Sequence, residues 1–355
     1  MSTKTALATA TPRAAGFRQP AEWDLHEAVW LAWPSHEDLW GDALAPVRLA
    51  FSAFASAIAD VARATGKPRG ERLEILAPDA ENEALARAAL AGLGARFHRI
   101  PFGDIWLRDT APVFLVGRGG MRATASFKFN GWGGKYVLPN DDSVSTRVAE
   151  KAGLPVFRFP WVLEGGSVEV DGEGTCLTTR QCLLHPNRNA AMTQEAIEAG
   201  LKDALGVTTV LWLGDGLRND HTDGHVDTLA RFVAPGVAVC MRPSGSFNQN
   251  AKALLAVDAD LCSFQDARGR RLKVLSVPSP GIVTDGAGHA MPASYVNFYI
   301  ANTTVIVPAY GVPNDEAACA GVAKLFPTHR VLSVPAKDLL EGGGAFHCIT
   351  QQVPA

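Results

Sequence analysis

Apolar and polar positions alternate along this chain with two periods, and the two periods take turns. From Pro46, the apolar residues Val47, Phe51, Phe54, Ile58 and Val61 recur every three or four positions, which predicts a helix with one buried face. Glu71 to Ala77 changes to a period of two, with Leu73 and Ile75 set between charged neighbours, and reads as a strand. Asn82 to Leu93 is again helical and is stopped by Gly94, and Arg96 to Ile100 is again extended. Downstream, helical patterns near Ser143–Ala152, Met192–Leu205, Phe247–Val257 and Asp315–Leu325 are each followed by a short strand. Those strands are Pro155–Phe159, Val207–Trp212, Leu272–Val277 and Val331–Val334. Regular alternation with no Pro/Ser linker predicts a single α/β domain over residues 21–355. Leu163-Glu164-Gly165-Gly166 returns as Leu340-Glu341-Gly342-Gly343, a faint sign of internal repetition in roughly five or six units.

Composition narrows the function. Lys plus Arg is 33 against 36 Asp plus Glu, a net charge of −3, which argues against a nucleic-acid binder. Charged residues are only 19% of the chain, while 34 glycines and 22 prolines supply many turns. Residues 1–20 are Ala/Thr-rich with Lys4, Arg13 and Arg18 and lack a long apolar run, so they are expected to be a flexible tail rather than a leader. No run of eighteen apolar residues occurs, so no membrane association is expected, and the location expected is the cytoplasm. Its six cysteines would then be thiols.

Four segments place reactive side chains beside turn-forming residues. In Trp106-Leu107-Arg108-Asp109, the carboxylate is flanked by aromatic residues, or is simply a turn cap paired with Arg108. In Leu163-Glu164-Gly165-Gly166, paired glycines allow close backbone approach, or mark a hairpin with a solvated Glu164. In Asn219 to Leu229, a strand would aim His225 and Asp227 at one face. A metal held by His221 and His225 is the rival reading, disfavoured because Thr222, Gly224 and Val226 oppose a helix. In Glu341 to Thr350, three glycines lead to Cys348, whereas Cys176, Cys182, Cys240, Cys262 and Cys319 read as core residues. A thiol and an imidazole together with several carboxylates suit a cationic electrophile. Two carboxylates can hold a guanidinium by charge-assisted hydrogen bonds while the thiolate attacks its carbon.

The chain resembles the agmatine deiminases of the Porphyromonas-type peptidyl-arginine deiminase family, within the guanidino-group-modifying superfamily. Seven motifs carry the likeness, in order: Trp106 to Thr110 with Pro112, Phe129 to Gly134, Leu163 to Gly166, Cys182 to Leu184 with Asn187 to Asn189, Thr222 to Asp227, Pro292 to Tyr299, and Gly342 to Gln352. The resemblance implies a five-bladed α/β-propeller of ββαβ-type units around a central site. It implies Cys348 as nucleophile, His225 as general acid/base, Asp109 and Asp227 as the guanidinium clamp, Glu164 completing the acidic pocket, and Trp106 as an apolar wall. The implied reaction is hydrolysis of agmatine to N-carbamoylputrescine and ammonia, in putrescine and polyamine biosynthesis, through an amidino-cysteine. Neither a metal nor an organic cofactor is implied, and the resemblance is compatible with a homodimer. Peptidyl-arginine or another guanidino compound is the alternative substrate. Ala111 in place of a more usual Gly, Asn219 to Thr222, and Gly286 to His289 depart from the family pattern and bear on substrate choice.

Overall fold

The helix–strand alternations of the sequence become the units of a ring, the first two falling within one unit. In the computed structural model, which describes residues 10–245 and 248–355, the chain enters through β1 (His26–Ala32). It crosses by the helix Leu44–Ala59 to parallel β2 (Arg72–Ala77), then by Ala80–Ala89 to parallel β3 (Arg96–Arg99). Four units then repeat one plan: an antiparallel strand pair, a helix, and a third strand parallel to the second. They are β4 (Val113–Val116), β5 (Arg122–Lys128) and β6 (Val156–Val162); β7 (Glu169–Val170), β8 (Thr175–Thr179) and β9 (Thr209–Leu213); β10 (Ala230–Ala234), β11 (Val237–Arg242) and β12 (Lys273–Pro278); and β13 (Tyr299–Ile300), β14 (Thr304–Ala309) and β15 (Arg330–Pro335). The last strand, β16 (Gln351–Pro354), pairs antiparallel with β1, so the two ends of the chain complete one sheet and close the ring. This is the five-bladed α/β-propeller that the resemblance implies.

Burial follows the patterning. On Leu44–Ala59 the predicted stripe Val47, Phe51, Phe54 and Ile58 is fully buried, worth about 1.5–3 kcal/mol per side chain. The middle strand β14 is buried along nearly its whole length, as expected where a strand is covered on both faces. By length and composition alone, the helical stretch Glu37–Ala59 could cross a membrane, but half of it is buried inside the ring.

Element limits move where a capping group decides them. Thr193 accepts a hydrogen bond from the Ala196 N–H, so the helix expected from Met192 begins at Gln194. Asp79 does the same for Asn82, which starts that helix at Ala80. The helix expected over Phe247–Val257 runs over Ala251–Ser263, and Phe247 lies outside the described residues. The tail expected over residues 1–20 is corrected for its later part. Phe17 is buried with its ring edge-on to Phe157, and Arg18 exchanges backbone hydrogen bonds with Val116. An apolar Phe17 and the free edge of β4 hold this stretch to the ring, while residues 1–9 lie outside the described residues. The repeated Leu-Glu-Gly-Gly is not a structural repeat either: Glu164 is fully buried and Glu341 is exposed. The repetition lies in the strand order.

Candidate active site

The segment just before the first strand of each unit turns inward. Asp109 precedes β4, Glu164 to Gly166 precede β7, His225 and Asp227 precede β10, Asn297 precedes β13, and Cys348 precedes β16. Five equivalent places in the fold thus deliver chemically different side chains to one centre. A cavity of about 420 Å³ opens there, lined by Cys348, Asp109 and Trp106 together with Trp40, Asp104 and Trp132. His225, Glu164 and Asp227 lie beneath, between 0% and 1% exposed. All six side chains singled out in the sequence therefore occupy one region. His225 and Asp227 reach it without the expected strand: His225 leads into a 3₁₀ turn over Val226–Thr228.

Glycines set the close approaches. A Cβ on Gly166 would stand 2.5 Å from His225 Nδ1, 3.0 Å from Asp227 Oδ2 and 3.1 Å from Asp109 Oδ1. Gly166→Ala is therefore expected to keep a folded ring but lose at least about a hundredfold in kcat/KM, checked by steady-state assay beside a thermal melt. Trp132 adopts φ 52° between Gly131, Gly133 and Gly134, all at positive φ. This left-handed turn explains the Gly-Trp-Gly-Gly run, because it aims the indole N–H at Asp109 Oδ2, 2.9 Å away. Asp109 Oδ1 accepts the Gly166 N–H at 2.9 Å. Ala111, by contrast, sits at φ −83°, where glycine is not needed, so that departure leaves Asp109 in place.

The charges are strongly coupled. Burial, with Asp227 and Glu164 nearby, pushes the Asp109 carboxyl up to about 8. Burial pushes His225 down to about 3, leaving a neutral imidazole whose two ring nitrogens have no hydrogen-bond partner among the described residues. The Cys348 thiol is raised well above its ordinary value by burial and by Asp227 and Asp109. Its sulfur lies 3.7 Å from Asp227 Oδ2 and 3.2 Å from the Asn297 amide nitrogen. Burial alone would raise Asp227, but the His347 ring outweighs it and holds the carboxyl low. Behind the thiol runs a buried chain. His347 Nδ1 lies 2.7 Å from Asp227, its Nε2 lies 2.8 Å from Glu22, and Arg231 pairs with Glu22 at 2.8 Å and Glu169 at 3.0 Å.

Glu164 is not a free carboxylate. Arg188 Nε lies 3.0 Å from both of its oxygens and Nη1 lies 2.6 Å from Asp223, which turns Glu164 away from a clamp and toward His225 Nε2 at 4.0 Å. Arg188, His347, Glu22, Arg231, Asn297 and Trp132 carry no role in the sequence reading. Arg188, Trp132, Asn297 and His347 lie inside its motifs; of these, His347 alone carries a signal of its own, a titratable ring in a Gly-rich, otherwise apolar run.

His221 and His225, the ligands of the rival metal reading, lie in different surroundings. His221 is exposed against the Tyr136 ring, and His225 is buried. Among the described residues, the group able to offer metal ligands is Glu164, Cys182 and His225. There Arg188 already takes Glu164, and burial raises the Cys182 thiol. The core assignment of the other cysteines holds for Cys176, Cys182 and Cys240. Cys262 is exposed and Cys319 half-buried, because both sit on outer faces of crossover helices.

A thiol, a neutral imidazole and paired carboxylates thus stand together at one cavity. Residues 18–354 match the family model of the Porphyromonas-type peptidyl-arginine deiminases, and the chain belongs to that family. It is 40% identical to the agmatine deiminase of Stutzerimonas stutzeri and 39% identical to that of Ectopseudomonas mendocina, in each case over 98% of both chains. The solved agmatine deiminase of Enterococcus faecalis superposes with a TM-score of 0.90 at 34% identity, covering 97% of this chain and 98% of that one.

Proposed function

We propose that this protein hydrolyses agmatine to N-carbamoylputrescine and ammonia in the cytoplasm, as a step of polyamine synthesis. The observation that carries the substrate assignment is the lining of the cavity. It holds the carboxylates of Asp104, Asp109 and Glu341 and the rings of Trp40, Trp106, Trp132 and Tyr136, with no lysine or arginine among the described lining residues. A dication with an apolar spacer is matched there, whereas the carboxylate of free arginine would meet no cation. The relatives named agmatine deiminase support the same reading, and six unpaired cysteines fit a reducing compartment.

In this reading Asp109 and Asp227 hold the guanidinium, with its carbon over Cys348, and Trp106 bears on the methylene chain. Arrival of the cation offsets the two carboxylates that keep the thiol protonated, and the Cys348 proton passes to neutral His225. The thiolate attacks the guanidinium carbon, His225 gives that proton to the departing nitrogen, and ammonia leaves an amidino-thioether on Cys348. His225 then takes a proton from water as its oxygen bonds the same carbon. Cleavage of the C–S bond yields the ureido product and restores the thiol. Glu164, fixed by Arg188, steadies His225 through the transfers.

Two outcomes check the proposal. Incubation with agmatine, arginine and a peptidyl-arginine should give ureido product and equimolar ammonia from agmatine, with kcat/KM at least about a hundredfold lower for the other two; preference for either arginine form would overturn it. Because Asp109 must lose its proton to hold a cation, agmatine should bind Cys348→Ala protein more tightly as pH rises toward about 8 and level off above it. Calorimetry should record proton release below that pH, and Asp109→Asn should abolish both the release and the pH dependence.

A further inference from the structure

We infer that Asp104 is the specificity residue for the far end of the substrate, where its carboxylate receives the terminal ammonium; the inference rests on the agmatine reading above. Asp104 is 8% exposed and lines the cavity. Its Oδ1 accepts the indole N–H of Trp40 at 3.0 Å, and its Oδ2 accepts that of Trp106 at 2.7 Å. Among the described residues, no lysine or arginine forms an ion pair with it, and its remaining hydrogen bond is from the Ile105 N–H. Two neutral indole donors orient a carboxylate without neutralising it, and a buried carboxylate without a counter-charge is costly unless a cation completes it.

Its position relative to the thiol fits such a cation. The six-membered edge of the Trp106 indole lies at Gly344, where a Cβ would be 2.7 Å from Trp106 Cζ3 and 3.1 Å from Cys348 Sγ. The opposite edge of the same indole donates to Asp104. Cys348 and Asp104 therefore stand at the two ends of one flat apolar surface. A four-carbon chain lying along that surface carries its guanidinium to the thiol and its ammonium to Asp104. Gly342 packs against the same two indoles, so the glycine run walls this path from the other side.

A purely structural Asp104, needed only to hold Trp40 and Trp106, would affect every guanidine alike. The discriminating readout is the ratio of kcat/KM for agmatine to that for pentylguanidine, in which a methyl group replaces the ammonium. The unsubstituted protein should prefer agmatine by about 10- to 100-fold, the scale of one charge-assisted contact. Asp104→Asn should bring the ratio close to one. A ratio near one in the unsubstituted protein overturns the inference without any variant, and so does an Asp104→Asn protein that slows both guanidines while keeping the ratio. Conversion of neither guanidine by the unsubstituted protein overturns the agmatine reading as well.

Discussion

Cys348→Ala is expected to lower turnover of agmatine by on the order of 10⁴-fold or more, to the level of background. The size of the effect follows from the step removed. Without the sulfur no amidino-thioether forms, and neither Asp109 nor His225 can replace a bond to the guanidinium carbon. The fold should be nearly unaffected, because losing one sulfur atom costs about 1 kcal/mol of packing. Steady-state measurement of ureido product beside a thermal melt separates these effects. Slow but measurable turnover by the alanine protein would contradict a covalent route.

The largest effect on stability is expected at Arg231, which touches no substrate. It is fully buried, pairs with Glu22 and Glu169, and donates to the Phe298 carbonyl at 2.7 Å. Burial would raise Glu22, but Arg231, His347 and Arg108 hold it well below its ordinary value, so it is ionised throughout the working range. Arg231→Leu leaves that charge and Glu169 without their shared partner, and should cost about 3–5 kcal/mol in denaturant unfolding. Pairing it with Glu22→Gln should recover part of the loss, because the carboxylate held ionised in the buried chain is then neutral. A change of less than about 0.5 kcal/mol in Arg231→Leu would show that the chain behind the thiol is not held by this cation.

What the sequence shows, and what it hides, divides on physical lines. Periodicity exposes the helices and the strands that directly follow them, as in Leu44–Ala59 with β2 and Asp315–Leu325 with β15. The middle strands β5, β8, β11 and β14, mostly buried and so with little alternation, are not read. Short first strands such as β7 and β13, two residues each, leave almost no periodic trace. Yet the segments before them carry Glu164 and Asn297. Cys348, His225, Asp109, Asp227, Glu164 and Trp106 are legible because they sit in dense polar or Gly-rich motifs. Their supports are not legible one by one. Arg188 meets Glu164 only through the fold, and His347 meets Glu22 across most of the chain. No local pattern encodes a partner so far away in sequence. The role of Trp132 depends on a left-handed turn, which the glycines around it permit but do not announce.

The central claim is that the guanidinium carbon passes through a bond to Cys348. Acid quench of the protein during turnover of agmatine, followed by mass analysis of the peptide containing residue 348, tests it most directly. The account predicts a fraction of that peptide heavier by agmatine less ammonia, with the adduct on the Cys348 sulfur and decaying at a rate no slower than kcat. Agmatine turnover with no adduct at any quench time, and with catalysis surviving in Cys348→Ala, would contradict it.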